Sequence, residues 1–150
     1  MSPQALLLAA FALLAGAMIS IQAPINAMAA ARLGNPLGAA TLSFLVGALC
    51  LLVVTLSFAR GQVAWGNVSS LPPMLWLGGV LGAIYVTVAI VLTPTLGVGA
   101  VIALAIAGQV TAGLALDHYG LFGLATREIS LGRATGAVMV VIGALMVRFF

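Results

Sequence analysis

Charged residues are scarce in this chain of 150 residues. They make up 5% of it, lysine is absent, and all five basic residues are arginines. A soluble domain carries about 25% charged residues, because it must cover a surface that faces water. With 64% hydrophobic residues and a mean hydropathy of +1.32, this chain cannot build such a surface. The sequence therefore predicts an integral membrane protein, and long apolar runs make it an all-α one.

The scarcity of acids also limits the chemistry, since Asp117 and Glu128 are the only two. The sequence has no HExxH motif, no cluster of metal ligands and no carboxylate pair at membrane depth, so we expect no enzyme, no metal site and no cofactor. The scattered arginines form no patch for nucleic acid. The single cysteine, Cys50, can make no disulfide within the chain and is expected to pack as a small apolar residue.

Five apolar segments have the length that crosses a bilayer. We expect them to form one transmembrane domain over residues 1–150, in contact with membrane lipid. The first segment has no basic n-region and exceeds the 7–15 apolar residues of a signal peptide, so we expect no cleavage. The expected helices cover about residues 5–31, 37–58, 74–92, 98–116 and 134–149.

Two amides lie within the first of these segments. Gln22 and Asn26 are four residues apart, so they project from one face of the helix. Pro24 between them removes a backbone donor and is expected to bend the helix. An unpaired amide in hydrocarbon is costly. Either both amides line a cavity or they bond a neighbouring helix, and these residues alone leave the alternatives open.

Three further polar side chains lie at membrane depth, namely Ser43, Tyr85 and Gln109. Ser43 could bond its own preceding turn, and the Tyr85 hydroxyl needs a partner on a helix or in a cavity. Gln109 follows Gly108 near the centre of the fourth segment and has few alternatives to a protein or water partner. We expect one substrate cavity lined by Gln22, Asn26, Ser43, Tyr85 and Gln109.

Small residues recur at intervals of four, which lets helix backbones approach closely. Gly78 and Gly82 form one such pair, and Gly132 and Gly136 form another. The residues expected to pack or kink helices are Pro24, Gly47, Gly78, Gly82, Gly108, Gly132 and Gly136.

Asp117 and His118 end the fourth segment and are a candidate proton relay, because histidine titrates near neutral pH. The alternative is that both are simply solvated at the membrane edge. Adjacent residues on a helix point in different directions, which favours the alternative.

Arginine placement scarcely selects an orientation. Five spans leave the two ends of the chain on opposite sides of the membrane. With the N-terminal end inside, three arginines face the cytoplasm (Arg60, Arg127 and Arg133) and two face out (Arg32 and Arg148). Since orientation follows the arginine and lysine excess, an excess of one predicts that the chain inserts both ways or that a partner fixes it.

The order of these motifs resembles the small five-helix, YdcZ-like family of inner-membrane exporters in the drug/metabolite transporter superfamily. The matching pieces cover nearly the whole chain. They are Gln22-Ala-Pro-Ile-Asn26, Leu33-Gly-Asn-Pro36, Ser43-Phe44 with Gly47, Gly78-Gly79 with Gly82 and Tyr85, Gly108-Gln109, Asp117 with Gly120, and Gly132-Arg133 with Gly136 and Gly143.

The resemblance implies a multi-pass protein of the bacterial inner membrane. Larger members of the superfamily resemble two five-helix halves of opposite topology. The resemblance therefore implies that this chain is half of a ten-helix fold, completed by dimerisation. The near-balanced arginines favour an antiparallel homodimer, and a heterodimer with a similar five-helix chain is the alternative.

Three functions fit these features. The first is a secondary transporter of a small-molecule substrate, working by alternating access as a dimer. The others are a small dual-topology ion channel, whose lining could include Asn26 and Phe44, and a non-transporting accessory subunit. No span contains a carboxylate. We therefore expect a neutral, zwitterionic or anionic substrate, or coupling residues from a partner chain.

Overall fold

The computed structural model describes residues 3–150, and all the regular secondary structure in this range is helical, with no strand. Five of the helices are long and apolar enough to cross a membrane, which confirms the predicted number. The long helices are α1 (Pro3–Leu33), α2 (Pro36–Phe58), α3 (Leu77–Leu96), α4 (Val98–Tyr119) and α5 (Leu131–Phe149). Short 3-10 helices cover Trp65–Ser70, Pro73–Trp76 and Leu121–Gly123, and the second of them leads directly into α3.

The helices form two compact units, the first ending at Val91 and the second covering Leu92–Phe150. In the first unit α1 packs on α2. Its most deeply buried cluster joins Ala39 and Ala40 of α2 to Ile90 of α3. Alanine side chains at this contact let the helix backbones approach closely, as small residues do in membrane proteins.

In the second unit α4 packs on α5. A methyl group added at Gly99 of α4 would lie 3.8 Å from a methyl carbon of Val147, an ordinary van der Waals contact. Ala100 and Ala107 of α4 and Ala144 of α5 are buried. Most of the large apolar side chains in the described chain are exposed, as expected for helices whose outer faces contact lipid.

The turn between α1 and α2 follows directly from its sequence. Gly34 has a φ of +68°, a left-handed conformation that glycine adopts without strain. Asn35 caps α2: its side-chain oxygen accepts hydrogen bonds from the N–H groups of Leu37 at 2.8 Å and Gly38 at 3.3 Å. Pro36 occupies the first helical position, where its missing N–H costs nothing.

The connection between α3 and α4 is shorter than predicted. We expected α3 to end near residue 92 and a turn to follow over residues 93–97, but the helix continues through Pro94 to Leu96. Proline removes only one helical hydrogen bond, and the N–H of Gly97 still donates to the Thr93 carbonyl at 3.0 Å. Gly97, with a φ of +80°, ends the helix.

The ends of α4 and α5 also differ from the expected boundaries. Helix α4 continues three residues beyond 116 to Tyr119, where Gly120 takes the left-handed conformation of a helix end, with φ +59°. Helix α5 begins at Leu131 rather than near 134, because the Ser130 hydroxyl accepts a hydrogen bond from the Arg133 N–H at 3.3 Å. Both caps lengthen the helices toward the loop between them.

Candidate functional site

A side-chain hydrogen bond joins α1 to α2 within the first unit. The amide nitrogen Nε2 of Gln22 donates to the Ser43 hydroxyl at 3.4 Å. Several other hydroxyls on the membrane helices bond their own preceding turn, as Ser20 does to the Gly16 carbonyl and Thr87 to the Ala83 carbonyl. Ser43 thus takes part in a contact between helices.

The Gln22–Ser43 pair lies on the wall of a pocket of about 420 Å³, which we call the Gln22 pocket. Tyr85 of α3 lines the same pocket, so three of the five residues predicted for a substrate cavity meet there. Gln22 and Tyr85 are exposed, and Ser43 is half-buried. The remaining lining is apolar or glycine: Ile19, Phe44, Gly47, Ala48, Leu51, Gly82 and Val86.

A second pocket, of about 460 Å³, adjoins the first and contains Asn26. The two pockets share Gln22, Ser43 and Gly47. Gln22 and Asn26 both line this second pocket, on the face that their spacing predicts. Asn26 is only 7% exposed. Helix α1 continues through Pro24 between the two amides, so both are presented by one element.

Phe44 forms one wall of the Gln22 pocket. From the sequence, Phe44 is expected only in the lining of an ion channel and not in that of a transporter cavity. Its ring lines the Gln22 pocket and also a third pocket, of about 460 Å³, which contains Thr41 and Thr87. A methyl group added at Gly82 would lie 3.3 Å from Cζ of the Phe44 ring. Gly82 therefore provides the space in which the ring sits. The useful sequence signal was the GxxxG pair of α3, which predicts a close neighbour at Gly82.

The fifth predicted cavity residue, Gln109, lies on α4 in the second unit and is exposed. Its place in a common cavity with Gln22 and Asn26 stays a prediction. Several glycines predicted to pack helices have nothing within 4 Å of an added methyl group in the described structure: Gly47, Gly78, Gly108, Gly132 and Gly136. Their role in close packing likewise stays a prediction.

Asp117, one half of the candidate proton relay, forms an ion pair with Arg133 of α5. The partner was not predicted, although an acid and an arginine on the same side of the membrane are a detectable signal. His118 is exposed and lies edge-to-face with Tyr119, with ring centroids 5.0 Å apart. The relay stays a prediction. Among residues 3–150 no group of three or more histidine, cysteine, aspartate or glutamate side chains could hold a metal ion.

Comparison with known proteins identifies the family. No curated protein and no solved structure matches the chain. A family model described as "Putative inner membrane exporter, YdcZ" matches residues 7–146, which include every predicted site residue. The resemblance seen in the sequence motifs is thereby confirmed. The chain belongs to the YdcZ-like family of drug/metabolite transporters, described as exporters of the inner membrane.

Proposed function

We propose that the protein is a secondary transporter that exports a small molecule across the bacterial inner membrane by alternating access. Family membership supports the general activity. The observation that carries the proposal is the Gln22 pocket, in which an amide, a hydroxyl and a phenol converge among apolar spans. Polar side chains at such depth are expensive and typically mark a substrate path.

The depth of the pocket fits this role. Gln22 precedes Leu33, the last residue of α1, by 11 residues, a distance of about 16 Å along a helix. That is about half of a ~30 Å hydrocarbon core. Tyr85 lies near the middle of the apolar span Pro73–Leu96. Transporters bind substrate near the bilayer midplane, where a site can be exposed to either side in turn.

We propose that the working form is an antiparallel homodimer, with a heterodimer of two similar five-helix chains as the alternative. Most large apolar residues of the described chain are exposed, and an added methyl group at Gly108 of α4 or at Gly132 and Gly136 of α5 would meet nothing within 4 Å there. Such faces suit close packing against another chain. An inverted pair has a two-fold axis in the membrane plane, which is the symmetry of many transporters.

The test is transport by purified protein in proteoliposomes. The vesicles are incubated with a defined mixture of neutral, anionic and cationic metabolites, and the protein-dependent uptake of each is quantified by mass spectrometry. We expect uptake that saturates with concentration. Uptake that rises linearly without saturation would indicate a channel, and no uptake of any compound would indicate an accessory subunit. Either result would reject the proposal.

The site is tested by replacing its amides. Gln22→Leu and Asn26→Leu should abolish uptake while membrane insertion and assembly persist, and Gln109→Leu should do the same if that residue shares the cavity. Ser20→Ala is the matched control on α1, because the Ser20 hydroxyl bonds the carbonyl of its own helix at 3.0 Å. Loss of assembly in the amide variants, with normal uptake by what remains, would show that the amides are structural.

A further inference from the structure

The Gln22 pocket is uncharged, which restricts its ligand. All the side chains that line the pocket belong to the first unit, and all of them are neutral. The charged side chains of this part of the sequence are Arg32 and Arg60. Arg32 lies ten residues beyond Gln22 on α1, which is about 15 Å along the helix. A charged ligand would lose its hydration without gaining a counter-charge, at a large cost in free energy.

The lining of the pocket favours a ligand with a flat apolar ring. The rings of Phe44 and Tyr85 both line it, together with aliphatic side chains such as Ile19 and Leu51. Phe44 is seated against Gly82, where an added methyl group would lie 3.3 Å from the ring. Aromatic pairs gain from offset or edge-to-face contact in addition to buried area. A volume of about 420 Å³ lies within the ~300–1,000 Å³ of small-molecule sites.

One polar feature completes the pocket. The Gln22–Ser43 hydrogen bond is long, at 3.4 Å, compared with about 2.9 Å for a typical N–H···O bond. It leaves the second N–H and the carbonyl of Gln22, and the hydrogen of the Ser43 hydroxyl, free to bond a ligand. We infer that the transported substrate is an uncharged aromatic molecule with one hydroxyl-type polar group, which stacks on Phe44 and bonds the Gln22–Ser43 pair. This inference rests on the proposed transport function.

A matched set of three indoles tests the charge of the ligand. Tryptophol is neutral, tryptamine is a cation and indole-3-acetate is an anion at pH 7, and all three carry the same ring. Binding to the purified protein in detergent is measured by calorimetry. We expect tryptophol to bind at least tenfold more tightly than either charged analogue. Equal or tighter binding of a charged analogue, or no binding of tryptophol, would overturn the inference.

Substitutions locate the binding to this pocket. Gly82→Val should displace the Phe44 ring and weaken tryptophol binding, whereas Gly79→Val, three residues earlier on α3, meets nothing within 4 Å and should leave binding unchanged. Phe44→Leu keeps a side chain of similar bulk and should weaken tryptophol binding by roughly two- to tenfold, the contribution of one aromatic contact. Unchanged binding in both Gly82→Val and Phe44→Leu would place the ligand elsewhere and overturn the inference.

The binding and uptake measurements distinguish a failure of the substrate assignment from a failure of the proposed transport function. If the proteoliposomes take up charged metabolites and tryptophol does not bind, the substrate assignment is wrong and the transport function stands. If tryptophol binds in the predicted pattern and no compound is taken up, the pocket assignment stands and the transport function is wrong.

Discussion

Arg133 of α5 is ion-paired with Asp117 near the end of α4, and the same guanidinium also bonds the backbone of the loop between these helices. It donates to the carbonyl oxygens of Arg127 and Glu128, each at 3.3 Å. The N–H of Arg127 in turn donates to the Asp117 carbonyl at 2.8 Å. Arginine suits this position because its planar fork of donors can serve several acceptors at once. The pair therefore fixes the geometry of the loop.

Removing the guanidinium should destabilise the second unit. The two side chains are about a third exposed, at 32% and 33%, so the ion pair alone contributes only ~0–1 kcal/mol. The two carbonyl bonds from a charged donor add to this, and we expect Arg133→Met to lower the free energy of unfolding by about 1–3 kcal/mol. Asp117→Asn should cost less, because Arg133 keeps its carbonyl acceptors.

Melting temperatures of the purified variants, followed by circular dichroism, check this order. Arg148→Met is the matched control, since Arg148 lies at the other end of α5, where its guanidinium carbon is 5.6 Å from the centroid of the Phe149 ring. A melting temperature of Arg133→Met equal to that of Arg148→Met would contradict the proposed role of Arg133 in stabilising the second unit.

The same ion pair bears on proton coupling. With its carboxylate paired to Arg133, Asp117 has a structural role that does not require proton transfer. His118 is exposed and packs on Tyr119. We expect His118→Gln to leave the pH dependence of transport in proteoliposomes unchanged. A displaced pH profile in this variant, with an unchanged melting temperature, would instead support the relay.

Two glycines with left-handed backbones provide a matched pair for a stability measurement. Gly34 has a φ of +68° with open space around an added methyl group, so Gly34→Ala should cost only the conformational term, about 1–2 kcal/mol. At Gly120, with φ +59°, the methyl group would lie 2.7 Å from the Thr126 hydroxyl and 3.1 Å from the Leu124 carbonyl. Gly120→Ala should therefore cost about 2–4 kcal/mol, because the steric clash adds to the conformational term. A smaller loss at Gly120 than at Gly34, from melting temperatures, would contradict this account of the loop.

The spans and the first turn were predictable because their causes are local. Segment length and hydropathy determine which stretches can cross a bilayer, and Gly34, Asn35 and Pro36 together specify the turn before α2. The end of α3 was misplaced because the short uncharged stretch 93–97 was interpreted as a turn, whereas the helix continues through Pro94, whose one missing hydrogen bond does not end it. The start of α5 was detectable from Ser130, a cap residue at the helix boundary.

The site was only partly predictable, because its residues meet through the packing of separate helices. The cost of a buried amide identified Gln22 and Asn26. No local pattern states that Gln22 reaches Ser43, because this contact depends on the relative register of α1 and α2. The place of Phe44 in the wall of the Gln22 pocket could not be predicted for the same reason, since its position depends on the space left by Gly82 of α3. Neither the Gln22–Ser43 contact nor the Phe44–Gly82 contact alters the sequence periodicity of the helices that make it, so periodicity gives no signal of either contact.

The orientation of the chain is the remaining test of the proposed dimer. In one orientation Arg60, Arg127 and Arg133 face the cytoplasm, and in the other Arg32 and Arg148 do. The difference is a single residue, and orientation is governed by such arginine excess near the ends of spans. We therefore expect each orientation in roughly half of the molecules. That balance is the condition under which a chain meets its own inverted copy.

Single cysteines in a Cys50→Ala background measure the two populations. Ser69→Cys lies in the exposed connection before α3 and Phe150→Cys follows α5, so five spans place them on opposite sides of the membrane. With an impermeant thiol reagent on intact cells, dual insertion should label about half of the molecules at each position. A single orientation should label all molecules at one position and none at the other. That second result would reject the antiparallel homodimer for the chain expressed alone, because no inverted copies would exist to form it. A parallel dimer or a partner chain of opposite orientation would then have to complete the site.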